Sequence, residues 1–198
     1  MIRMLGGLTL AFAIGLAAPS GALAKTSERT TTYAINGVTG MSLYKSMSAR
    51  GPRHGFLSRA IAQTSYKIEW DADVRARGRA CSVVSARPTL SITYAYPQPS
   101  QKLSPKVQRA WNRFMAGVRK HEQMHGRLAK DMTAAAARAV KGLRIANDPS
   151  CRRVRQEVKK RAEKIYQTYE ARQEKFDRDE HRDGGNIDRL ILALIKAK

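Results

Sequence analysis

The sequence predicts an α+β fold, with N-terminal antiparallel strands packed on one long helix and further helices towards the C-terminus. Two observations carry this. Tyr66, Ile68 and Trp70 alternate with Lys67, Glu69 and Asp71, the period-2 pattern of a half-buried strand. Beyond Ser104-Pro105 the apolar residues recur every three or four positions, which is the helical period. Pro97-Gln98-Pro99-Ser100 stands between the two regimes and ends the β part.

The first 24 residues read as a secretory signal peptide, not as part of the fold. Met1 to Met4 is short and carries Arg3, Leu5 to Ala18 is apolar or small, and Ala22-Leu23-Ala24 is an A-x-A cleavage site. Residues 25–198 then read as a single secreted domain, β-rich over 25–100 and helical over 101–198. Lys25 to Thr32 is polar and predicts a disordered leading segment. Thr31 to Ile35 predicts a short strand ending at Asn36-Gly37. Leu43 and Met47 give a short helix over Ser42 to Ser48, stopped by Arg50-Gly51-Pro52, and a loop with His54 follows. The Tyr66 strand turns at Arg77-Gly78 into a second, Cys81 to Tyr96, interrupted near Pro88; the two predict a long antiparallel hairpin.

Ser104 is an N-cap and Pro105 the first helical residue of the long helix. Its stripe runs Trp111, Phe114, Met115, Val118, His121, His125, Leu128, Met132 and Ala136. Lys141-Gly142 and Ala146 to Pro149 end it. A second helix is predicted from about Cys151 to Arg172, then a loop over Arg182 to Asn186. Ile187 to Lys198 is a last amphipathic helix; it suits packing against the core, or contact with a membrane surface.

Composition narrows the partners. Lys and Arg number 37 against 16 Asp and Glu, a net charge of +21, which attracts anionic polymers of the cell envelope. No zinc-finger spacing and no aromatic RNA-binding signature is present, so a specific nucleic-acid partner is not expected. Only two cysteines occur, Cys81 and Cys151. In the oxidising setting of an exported protein an even count predicts a disulfide.

His121-Glu122-Gln123-Met124-His125 is an HExxH pentapeptide within the long helix. Positions i and i+4 share a helix face, so His121 and His125 can point at one Zn²⁺ with Glu122 beside it as general base. Both histidines continue the apolar stripe, which turns them inward. The arrangement is zincin-like and predicts a metallopeptidase in a secreted or periplasmic compartment. A catalytic zinc needs a third protein ligand. Asp131 has the offset of the third metzincin ligand, but Leu128 stands where that pattern needs glycine and the helix continues past it. Glu157 and Glu163 on the second helix, His54 and His181 are the other candidates. Tyr166 and Tyr169 are available as oxyanion-stabilising groups, although core packing also explains them.

The chain resembles the family of bacterial predicted secreted zinc-dependent proteases, first catalogued as a domain of unknown function. The resemblance rests on the Tyr33 to Gly37 strand, Gly51-Pro52, the Thr64 to Trp70 strand, Cys81, Trp111-x-x-Phe114, the HExxH helix and Cys151, in that order. Such proteins carry an aromatic-Asp stretch ending in Thr-x-His-Gly, whose histidine the resemblance implies as third ligand. Phe176-Asp177 to His181 matches it here without the Thr or the His-Gly pair, the histidine falling one residue early. The expected metal set is therefore His121, His125 and His181, with Zn²⁺ as cofactor and a peptide or protein as substrate. The competing expectation is a non-catalytic exported module whose basic surface holds an anionic envelope polymer.

Overall fold

The computed structural model describes residues 25–54 and 58–198. The expected signal peptide and residues 55–57 lie outside the described residues, as does the side chain of His54. The elements run β1 (Lys25–Ile35), α1 (Gly40–Arg50), β2 (Arg53–His54), β3 (Ser58–Arg59), β4 (Gln63–Arg77), β5 (Ala80–Pro99), α2 (Pro105–Val140), β6 (Arg144–Ile145), α3 (Arg152–His181) and α4 (Asn186–Ile195). The fold is α+β, as the two periodicities predict.

The central sheet has the order β1-β5-β4, with β6 on the N-terminal end of β5. β4 and β5 form the expected hairpin: Trp70 lies opposite Pro88 and Arg77 opposite Ala80. Gly78, at φ 60°, starts the two-residue turn in a conformation that favours glycine. Two features depart from expectation. Lys25 to Thr32 is not a disordered leader but most of β1, which pairs in parallel with β5 from Lys25↔Thr89 to Ile35↔Pro99. The polar alternation there reflects a strand exposed on most of its length. β5 is also not broken at Pro88. That residue lies one position outside the described β1 pairing, so on that side no ladder bond is lost.

The core lies between one sheet face and the helices. Leu90, Ile92, Tyr94 and Tyr96 of β5 face Val107, Trp111, Phe114, Met115 and Val118 of α2, with Leu43 and Met47 of α1 beside them. Ser104 caps α2 by accepting a hydrogen bond from the Val107 N–H. Asp148 carries the corresponding role for α3: its carboxylate accepts from the N–H groups of Arg153 and Val154 at 3.2 and 2.9 Å. Cys81 and Cys151 form a disulfide, which fixes the start of α3 to β5. α3 then runs antiparallel to α2, for Arg161 reaches the Ala139 carbonyl and Gln173 reaches His125.

α3 continues nine residues past its expected end, Arg172, to His181. The sequence after Arg172 is charged on its outer faces, which hides the stripe, but Gln173 is buried. α4 packs inward: Ile187 and Leu194 are 3% and 1% exposed, and Leu190 and Ile191 join the core. Leu192 is its one large apolar side chain left exposed. No helix among the described residues is long and apolar enough to cross a membrane.

Candidate metal centre

α2 is long because its sequence is rich in Ala, Arg, Lys and Met and free of Pro and β-branched runs after its first turn. Its buried stripe carries His121 and Glu122 inward, each 6% exposed. Because α3 lies antiparallel beside it, side chains at four-residue spacing on α3 meet side chains at four-residue spacing on α2. Gln173, Asp177 and His181 form that second row.

The contacts are short and convergent. Asp177 Oδ1 lies 2.9 Å from His125 Nε2 and 3.2 Å from His121 Nε2. The two Nε2 atoms are 3.1 Å apart. A tetrahedral ion with bonds of about 2.0–2.1 Å sets its ligand atoms roughly 3.3 Å apart, so this triangle of two imidazole nitrogens and one carboxylate oxygen has a size and chemistry that could hold a metal ion. His181 stands at the exposed rim, its ring centroid 5.2 Å from that of His121. His121, Asp177 and His181 also offer ligand atoms within 4.8 Å of one another. The two sets share His121 and Asp177. The His121–His125–Asp177 set is the tighter fit, and His181 is adjacent to it.

A supporting shell orients these groups. The Gln173 side-chain oxygen accepts from His125 Nδ1, leaving Nε2 for the cluster, as partners of ligating histidines do. Phe176 stacks on the His121 ring at 4.8 Å. His121 Nδ1 is a buried nitrogen without a hydrogen-bond partner, with Glu180 Oε2 as its nearest carboxylate at 3.7 Å. Burial pushes the Asp177 carboxyl up, yet the two imidazoles outweigh it and hold it well below the usual carboxylate range. Burial pushes His125 down, but Asp177 and Gln173 act the other way and leave it above its ordinary value. Burial beside His121 lowers His181.

Glu122 faces the same space. Burial raises its carboxyl, and the Thr64 hydroxyl and nearby imidazoles offset this only in part. Thr64 Oγ1, on edge strand β4, lies 2.7 Å from Glu122 Oε2. A cleft of about 830 Å³ opens over Glu122, with Thr64 and Tyr66 of β4 on one wall and Gln173, Asp177 and His181 of α3 on the other.

The remaining candidates lie elsewhere. Asp131 is exposed on α2. Glu157 pairs with Arg161 at 2.9 Å and Glu163 accepts from Gln167. Tyr166 bonds the Trp70 indole N–H, and Tyr169 lies under the Arg172 guanidinium. The sequence named Asp177 within the aromatic-Asp stretch but not as a ligand, and did not single out Gln173 or the role of Thr64. The i, i+4 rule that reveals His121 and His125 also links Gln173, Asp177 and His181, once α3 is extended to include them.

Residues 30–185 match the family described as bacterial protein of unknown function (DUF922). The chain belongs to this family. The matched span contains the whole β4–β5 hairpin, α2 and α3, and with them every member of the cluster. No curated protein and no solved structure matches the chain.

Proposed function

We propose that this member of the family is an exported zinc-dependent metallohydrolase acting on peptides. The observation that supports the reading best is the convergence of His121 Nε2, His125 Nε2 and Asp177 Oδ1 at 2.9–3.2 Å beside Glu122, at the floor of an open cleft. Three protein ligands with one side left open to a cleft is the pattern of a catalytic, not a structural, zinc site. Bound there, zinc supplies Lewis acidity to a water molecule and to the carbonyl under attack.

The chain's own groups do the rest. Gln173 holds the His125 ring with its Nε2 towards the cluster. Thr64 holds Glu122 Oε2. Glu122 takes the proton of the attacking water and returns it to the leaving amine, a role suited by a carboxyl whose pKa burial raises. His181 lines the cleft at its rim. Export is supported by the Cys81–Cys151 disulfide, which persists in oxidising compartments, together with the signal-peptide pattern of residues 1–24.

The test is Glu122→Gln in the exported protein. The reading expects zinc content to stay at about one per chain while hydrolysis of a mixed peptide library falls by at least 100-fold. Full hydrolysis in the variant, or a wild type that takes up no zinc, contradicts it.

A further inference from the structure

The end of the molecule opposite the cluster carries a concentration of arginines that the hydrolytic reading does not use. Arg77 and Arg79 flank Gly78 in the β4–β5 turn. β6 brings Arg144 alongside, paired with Ser82. The Cys81–Cys151 bond brings Arg152, Arg153 and Arg155 to the same end. All six are exposed. The carboxylates nearby are already engaged: Asp73 with Arg75 at 2.9 Å, Glu157 with Arg161 at 2.9 Å, and Asp148 with the backbone of α3. Among the described residues none of the six has a carboxylate partner.

This arrangement works against stability. Three arginines occupy the first turn of α3, which holds no acidic residue, although the positive end of a helix favours anions. Repulsion within the group adds to that. A locally unfavourable charge pattern is expected where function requires it. Asp148 has already taken the N–H groups of Arg153 and Val154, so the attraction for an anion comes from the guanidinium groups.

The cations also form a row. Arg153, Lys160 and Lys164 fall seven and four residues apart on one exposed face of α3, which extends the cluster by roughly 16 Å at the helical rise. A row suits a linear partner. Six arginines in place of lysines suit forked, two-point contacts to phosphate. Among the described residues Val84 is the one exposed large apolar side chain at this end, which favours a polymer over insertion into lipid.

We propose that the Arg77–Arg79–Arg144–Arg152–Arg153–Arg155 pole binds a linear phosphate-bearing polymer. The contact lies roughly 38 Å along α3 from Asp177, so a bound polymer leaves the cleft open. The site holds the protein on an anionic polymer without occluding its chemistry, and it stands whether or not the cluster is hydrolytic.

The experiment measures binding of fluorescently labelled linear polyphosphate to the disulfide-bonded protein by anisotropy, across a salt series. Two variants are compared: Arg77→Gln/Arg79→Gln/Arg144→Gln/Arg152→Gln at the pole, and Lys106→Gln/Arg109→Gln/Arg113→Gln/Lys120→Gln on exposed positions of α2. Both remove four charges. The proposal expects the pole variant to lose at least tenfold in affinity, with a shallower salt dependence by about three log units per log unit of salt, and the α2 variant to lose less than threefold. Equal losses in the two variants, or no binding by the wild type, overturn it. Preferential binding to phosphatidylglycerol vesicles over the polymer, with the pole variant unaffected on polyphosphate, assigns the surface to membrane and overturns it as well.

Discussion

Asp177 Oδ1 lies 2.9 Å from His125 Nε2, across 52 residues of chain. The contact exists because α3 returns antiparallel along α2 in a register fixed at the far end by the Cys81–Cys151 disulfide. It ties the HExxH helix to α3, which among the described residues contributes the carboxylate within 3.2 Å of both its histidines.

That dependence on a distant tether predicts a linked loss. The disulfide closes a segment of 70 residues, for which loop entropy gives a stabilisation of about 4 kcal/mol. Cys81→Ala/Cys151→Ala is expected to lower the denaturation midpoint accordingly and to weaken zinc binding, because the start of α3 is released. Unchanged zinc affinity in a folded double variant would show that the α2–α3 register does not need the tether.

Gly126 follows the second histidine of the motif. A Cβ there would stand 2.0 Å from the Tyr94 hydroxyl, and that hydroxyl donates to Glu28, which also pairs with Lys130. Alanine favours helix, yet Gly126→Ala is expected to destabilise by about 1–3 kcal/mol through overpacking. Adding Tyr94→Phe removes the clashing oxygen and is expected to restore part of the loss. Thermal melts of the single and double variants decide this; a neutral or stabilising Gly126→Ala refutes the close approach.

Glu122 yields a pH prediction in the metal-free protein. Its folded pKa is raised above 4.5 by burial, so the stabilisation from its protonated form is present below about pH 4.5 and is lost as pH rises through the raised value. At pH 7 the buried charge is a cost that Glu122→Gln removes. The variant is expected to melt several degrees higher at pH 7, at roughly 2–4 °C per kcal/mol, and the gap to close towards pH 4. A constant gap, or none at pH 7, contradicts the burial argument.

Much of the fold was legible because it is written in periodicity. The Tyr66–Ile68–Trp70 alternation, the Gly78 turn and the Ser104-Pro105 start of α2 each have a local cause and appear where expected. The N-terminal part of β1 was missed because Lys25 to Thr30 is exposed and shows no apolar alternation; its pairing comes from β5, 64 residues away. The motif residues His121, Glu122 and His125 were visible for the same local reason as α2. Asp177 stood in the aromatic-Asp stretch of the resemblance, but its place beside His121 and His125 was not legible, since the end of α3 and its register against α2 were not known. His181, singled out from the sequence, lies beside the cluster at its rim.

The central claim is that Asp177 completes the ligand set with His121 and His125. Isothermal titration of zinc into the metal-free wild type, Asp177→Ala and His181→Ala tests it. One site per wild-type chain is expected, with a loss of at least 100-fold in affinity for Asp177→Ala and less than tenfold for His181→Ala. Wild-type affinity in Asp177→Ala, with the loss appearing in His181→Ala instead, would contradict it.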